Sequence, residues 1–93
     1  MLFTMFCIDK PGVLDKRLEV MPAHIEYLST EPVKIVMSGP LVADESETRV
    51  IGSLYVVEAP DRAAIEAFQR GDPLAQADIW DSVNIHAFVK RVG

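Results

Sequence analysis

Leu14, Leu18, Met21, Ile25 and Leu28 recur at spacings of four, three, four and three residues, the repeat of one face of an α-helix. Turn signals close both ends of this run, Asp9-Lys10-Pro11-Gly12 before it and Glu31-Pro32 after it, so the helix is bounded. The preceding β-rich stretch, Leu2 to Asp9, reads as a strand that exits sharply into the helix. Pro22 lies inside the pattern, where it removes a backbone donor and biases Met21 away from helical angles. A kink or two abutting helical pieces are therefore expected.

Val33 to Ser38 reads as a second strand running into Gly39-Pro40, and the polar stretch Ala43 to Thr48 as a loop. A third strand is expected from about Arg49 to Glu58. Asp61 then N-caps a second helix that passes through Ile65 and Phe68 and stops at Gly71, a residue that tolerates positive φ. Residues 73–79 suit a short helical turn, and Ser82 to Arg91 the last strand. The order strand, helix, strand, strand, helix, strand predicts an α+β chain, a ferredoxin-like βαββαβ sandwich. It has a four-stranded antiparallel sheet with two main helices on one face. At 93 residues, 1–93 is a single domain, and 49% hydrophobic residues suffice for a core without disulfides or a structural metal.

The strands carry apolar residues on both faces: Leu2, Phe6 and Ile8 alternate with Phe3, Met5 and Cys7, and Leu54 and Val56 with Tyr55 and Val57. Two helices cover one face only, so the sheet is expected to dimerise through the other, as a homodimer or higher homo-oligomer. A net charge of -5 without a Lys/Arg cluster argues against nucleic acid. The apolar opening Met1 to Ile8 lacks a basic flank and a cleavage site, and no stretch is long enough to span a bilayer, so no membrane is expected. A lone Cys7 fits a reducing, cytoplasmic location.

His24 falls about 80° from the centre of the apolar stripe, on the border between core and solvent. A histidine there can move protons near neutral pH, or simply pack its ring and bond a carbonyl. Asp72 precedes Pro73, the signature of a helix opening; a carboxylate so held can also orient an imidazole. Ser38, Gly39, Pro40 and Ser53 could line a pocket, or serve only turns and bulges, and Arg17 could bind an anionic group or merely face water. His86, Tyr55 and Trp80 read as structural or subunit-contact residues. Two histidines and one cysteine match no metal-ligand spacing, and neither a phosphate loop nor a nucleophile motif occurs.

Taken in order, Met1-Leu-Phe, Lys16-Arg-Leu, Val20-Met-Pro-Ala-His24, Ser38-Gly-Pro40, Gly52-Ser53 and Asp72-Pro73 resemble the YciI-like (YCII-related) family over nearly the whole chain. The chain departs from that pattern at Glu31-Pro32-Val33. The resemblance implies a dimeric α/β-barrel fold akin to muconolactone isomerases and an active site of a histidine and an aspartate, which match His24 and Asp72. One member type is a dehydrochlorinase of a chlorinated hydroxyhydroquinone. The expectation is thus a lyase or isomerase that needs no cofactor and acts on a small, quinone-like or chlorinated aromatic metabolite. The alternative is a non-catalytic module that binds a small molecule or a protein; a third reading leaves the pocket closed and His24 structural.

Overall fold

β1 (Leu2–Asp9) runs through the middle of the sheet, antiparallel to β3 (Val50–Glu58) on one side and β4 (Trp80–Phe88) on the other. β2 (Lys34–Val42) completes the sheet at the outer edge of β3, giving the order β2-β3-β1-β4. The computed structural model describes all 93 residues. Its helices are α1 (Leu14–Ser29), α2 (Arg62–Gly71) and the single turn α3 (Pro73–Gln76). This is the expected α+β, ferredoxin-like arrangement.

Alternation along the strands decides where the core lies. Phe3, Met5 and Cys7 stand opposite Val57, Tyr55 and Ser53 in the β1–β3 register, and all six are buried. Ile65 and Phe68 from α2, Leu74 from α3, Ile79 just before β4 and Trp80 at its start close over them. Full burial of a side chain such as Phe68 or Ile65 stabilises the fold by about 1.5–3 kcal/mol. The opposite face of the sheet carries Leu2, Phe6, Ile8, Leu54 and Val56, with Phe6 42% exposed. No helix covers it. Beside these apolar residues, Thr4, Ser82, Asn84 and His86 also belong to that face by register, so it is less uniformly apolar than β1 and β3 alone suggest.

α1 corrects two expectations. It is one continuous helix across Pro22 rather than two pieces; Pro22 and the Leu18 carbonyl it leaves unpaired belong to solvent-exposed residues, where water satisfies a freed group. The helix is also turned about 100° from the orientation its apolar stripe implies. Its inward face is Val13, Arg17, Val20, His24 and Tyr27, with Arg17 and His24 buried, while Leu14, Leu18 and Ile25 are exposed. Turned this way, Arg17 and His24 reach the buried polar partners described below, while three aliphatic side chains stay exposed.

One strand boundary and the role of one glycine differ from expectation. β2 continues through Gly39-Pro40 to Val42, because an edge strand bonds on one side only and tolerates a missing N–H. A register shift between Ile35 and Met37 leaves Val36 as an extra residue and brings Ser38 opposite Tyr55 and Pro40 opposite Ser53. Gly71 ends α2 as expected, but it is not among the glycines with positive φ. Its role is spatial: a Cβ there would stand 2.6 Å from the Tyr27 hydroxyl. Tyr27 stacks on Phe68 at 5.7 Å and donates to the Phe68 carbonyl at 2.9 Å, which docks α1 onto α2.

At Gly52 an added Cβ would meet the Cys7 carbonyl oxygen at 2.1 Å, whereas Gly39 has open space. Gly52→Ala should lower the unfolding free energy by more than about 2 kcal/mol in urea titration. Gly39→Ala should change it by less than about 1 kcal/mol.

Candidate active site

Asp72 is held where α2 ends and α3 begins. Its backbone is extended, its Oδ1 accepts the Leu74 N–H at 2.9 Å, and Pro73 occupies the first helical position. The cap expected from Asp72-Pro73 therefore forms, with the carboxylate fully buried. Across the core, His24 directs Nδ1 at the same carboxylate, 2.8 Å from Oδ1 and 3.0 Å from Oδ2. A carboxylate accepts, so Nδ1 carries the proton and donates, and Nε2 is the ring nitrogen left for a ligand.

A second polar pair lies beside the first. Arg17, seven residues before His24 and on the same helix face, donates from Nη1 to both carboxylate oxygens of Asp9 at 2.8 and 2.9 Å. Its Nη2 donates to Ser53 Oγ at 2.8 Å. Both terminal nitrogens are thus engaged within the chain, and Nε is buried without an acceptor. Ser53 Oγ receives this bond, and its own hydrogen can turn towards the Tyr55 phenol beside it or towards the cleft.

His24, Arg17 and Ser53 form the floor of a cleft of about 270 Å³. One wall is the aliphatic stripe of α1, namely Leu14, Leu18, Met21, Ile25 and Leu28; the other is Ser38, Gly39 and Pro40 of β2 with Val50 of β3. The unexpected turn of α1 thus gives its stripe a place, as a cleft wall. His24, Arg17, Ser53 and Tyr55 also line the cleft. Of the candidate site residues, His24, Arg17, Ser38, Gly39, Pro40 and Ser53 all lie there, and Asp72 is buried behind His24.

The electrostatics follow from the buried carboxylates. Burial, joined by the negative charge of Asp72, pushes the Cys7 thiol up to about 12, and the same two causes raise Tyr27 and Tyr55. Burial also raises Asp9 above the usual aspartate value, although Arg17 pulls it down. Arg17 is therefore committed to a neighbouring carboxylate that needs it.

The sequence pattern marked Asp9 only as part of a turn and Tyr55 as a core or subunit-contact residue; Tyr55 is indeed in the core, and both also touch the site. Tyr55 sits two residues beyond Ser53 on the same sheet face, and its hydroxyl reaches Asp72 Oδ2 at 3.4 Å. The period of two along β3 was the available signal. Asp9 ends β1, eight residues before Arg17; no local periodicity connects a strand end to the next helix. His86, read as structural, is exposed on the uncovered sheet face and lies outside the cleft.

Fold and site together define a ferredoxin-like α+β domain with a buried histidine–aspartate pair at the base of an open, largely aliphatic cleft. The same fold is seen in an antibiotic biosynthesis monooxygenase, with a TM-score of 0.57 at 19% identity over 97% of this chain and all of that one (100%). The YCII-related domain matches residues 1–89, and the chain belongs to that family. Protein YciI of Escherichia coli is 29% identical over 96 residues, covering 97% of this chain and 98% of that protein. Among solved structures, 5-chloro-2-hydroxyhydroquinone dehydrochlorinase from Burkholderia phenoliruptrix, in complex with 2,5-dihydroxybenzoquinone, superposes with a TM-score of 0.90. It is 27% identical, with 96% of this chain and 94% of that chain covered.

Arg17→Met tests the second pair. It leaves the buried Asp9 carboxylate unpaired, which should cost about 3 kcal/mol of unfolding free energy at neutral pH. A carboxyl whose folded-state value is raised favours folding below its ordinary value and loses that contribution as pH climbs through the raised one. Urea titrations of both proteins should therefore show the deficit shrinking on acidification towards the ordinary aspartate value; a deficit independent of pH would contradict the account.

Proposed function

We propose that this protein is a lyase or isomerase that moves protons on a small, neutral oxygenated aromatic, using His24 as acid and base and Asp72 as its orienting partner. The observation that carries this reading is the 2.8 Å bond from His24 Nδ1, at the floor of the cleft, to a buried Asp72 carboxylate behind it. Such a bond fixes the tautomer, so Nε2 faces the ligand as a base, and it stabilises the imidazolium formed when Nε2 takes a proton. Proton removal with departure of chloride from the neighbouring carbon is an elimination; return of the proton to a different atom is an isomerisation. Both need only a proton acceptor and donor, so the chemistry calls for no cofactor.

The cleft supports the ligand class. Aliphatic side chains of α1 face Pro40 across it, a setting for a flat ring. Ser53, its oxygen engaged by Arg17, has a hydrogen to offer a ligand hydroxyl or carbonyl, and the Ser38 to Pro40 segment borders the same space. With its terminal nitrogens committed, Arg17 orients Ser53 instead of clamping an anion. The quinone held by the dehydrochlorinase, a solved neighbour, belongs to the same class.

The uncovered sheet face, with Phe6 and Phe88 exposed, supports a homodimer joined through the sheets. A single buried cysteine accords with a reducing cytoplasm.

His24→Ala and Asp72→Asn should each lower kcat at least about 100-fold on a chlorinated hydroxyhydroquinone or a related quinol, while circular dichroism shows both folded. Full activity in either variant would end the assignment. Thermal stabilisation by 2,5-dihydroxybenzoquinone without turnover of any quinol, lactone or chlorinated phenol would instead identify a binding module. In sedimentation velocity, Phe6→Asp should convert a dimer to a monomer; a monomeric parent protein would remove the sheet-face interface.

A further inference from the structure

Tyr55 is held by its ring from three sides. His24 meets it edge-on at 6.3 Å and 77°, Phe68 at 5.8 Å and 84°, and Trp80 at 6.4 Å and 78°. Phenylalanine would fill this aromatic box equally well, so packing explains the ring and leaves the hydroxyl to be explained. A buried phenol needs a partner; this one, 1% exposed, has Asp72 Oδ2 as an acceptor at the long distance of 3.4 Å, and the Ser53 hydroxyl stands beside it as a donor. We propose that Tyr55 is a positioning residue of the His24–Asp72 pair: its hydroxyl draws on the Asp72 carboxylate and so sets how firmly that carboxylate holds the proton on His24 Nδ1.

The geometry of Asp72 makes this sharing specific. Oδ1 receives the Leu74 N–H and the nearer approach of His24; Oδ2 receives the farther approach of His24 and the Tyr55 hydroxyl. Imidazole and phenol therefore meet at one oxygen. Other groups near it do not replace the phenol: Arg17 of α1 is engaged by Asp9 and Ser53, and Tyr27 of α1 donates to the Phe68 carbonyl. Cys7 of β1 is buried and retains its proton. Burial and the charge of Asp72 likewise keep the Tyr55 phenol protonated, so towards a carboxylate it acts only as a donor. A donor that takes up part of the carboxylate's charge weakens the bond the same carboxylate makes to imidazole.

The inference rests on the acid/base reading of His24, but its test needs no substrate. In protein carrying His86→Gln, one imidazole remains, and the Nδ1–H of His24 can be followed by 1H–15N NMR. Tyr55→Phe should move this proton downfield and slow its exchange with water, because Asp72 then serves imidazole alone. Replacement of Tyr55 by 3-fluorotyrosine, which keeps the ring and strengthens the donor, should move it upfield. Nδ1–H resonances unmoved in folded samples of both, or moved in the same direction in both, would overturn the proposal. If Tyr55→Phe fails to fold, the fluorinated protein decides alone. Failure of the acid/base reading would appear separately, as full turnover by His24→Ala with the NMR shifts intact.

Discussion

The carboxylate of Asp72 is the point on which the site depends. It caps α3 through Leu74, receives Nδ1 of His24 from α1 and lies within reach of Tyr55 on β3, so one side chain ties three elements together at the base of the cleft. A buried carboxylate persists only when hydrogen bonds replace its water, and here each of those bonds belongs to a different part of the chain. The helix cap makes the anchor rigid; the imidazole makes it chemically useful.

Satisfying that carboxylate governs the orientation of α1. Helix burial normally follows the apolar stripe, yet Arg17 and His24 are turned inward and the aliphatic stripe is left at the surface. Two buried polar pairs, Arg17 with Asp9 and His24 with Asp72, hold that rotation. The outcome is a cleft with a greasy wall and a polar floor, which is the composition of a small-molecule site. Leu18 and Ile25, exposed by this turn, line the cleft, and such a conflict between local pattern and final packing is the kind that functional sites produce.

Much of this was legible beforehand. Strand and helix order, the cap at Asp72, the N-cap at Asp61 and the loop over residues 43–48 all follow from local rules of capping and turn chemistry, which act over a few residues. His24 and Asp72 were nameable for the same reason, and family resemblance set them side by side. What local rules could not supply was the direction α1 faces, because its apolar stripe indicates the wrong side. Nor could they supply Asp9 as the partner of Arg17, or the hydroxyl of Tyr55 beneath Asp72. These depend on contacts between residues 8 and 17 positions apart, made only once the sheet and helices have packed.

The bulge at Val36 marks the same division. Residue alternation along β2 makes Ser38 and Pro40 share a face, but a one-residue shift against β3 selects which face, and that shift puts them opposite Tyr55 and Ser53. The amino-acid sequence by itself determined the elements, their order and the chemical types available to a site, since those arise from neighbours along the chain. Tertiary structure alone decided that a histidine and an aspartate 48 positions apart meet at 2.8 Å and that a cleft opens over them, because burying a charge calls for partners that only the folded chain can assemble.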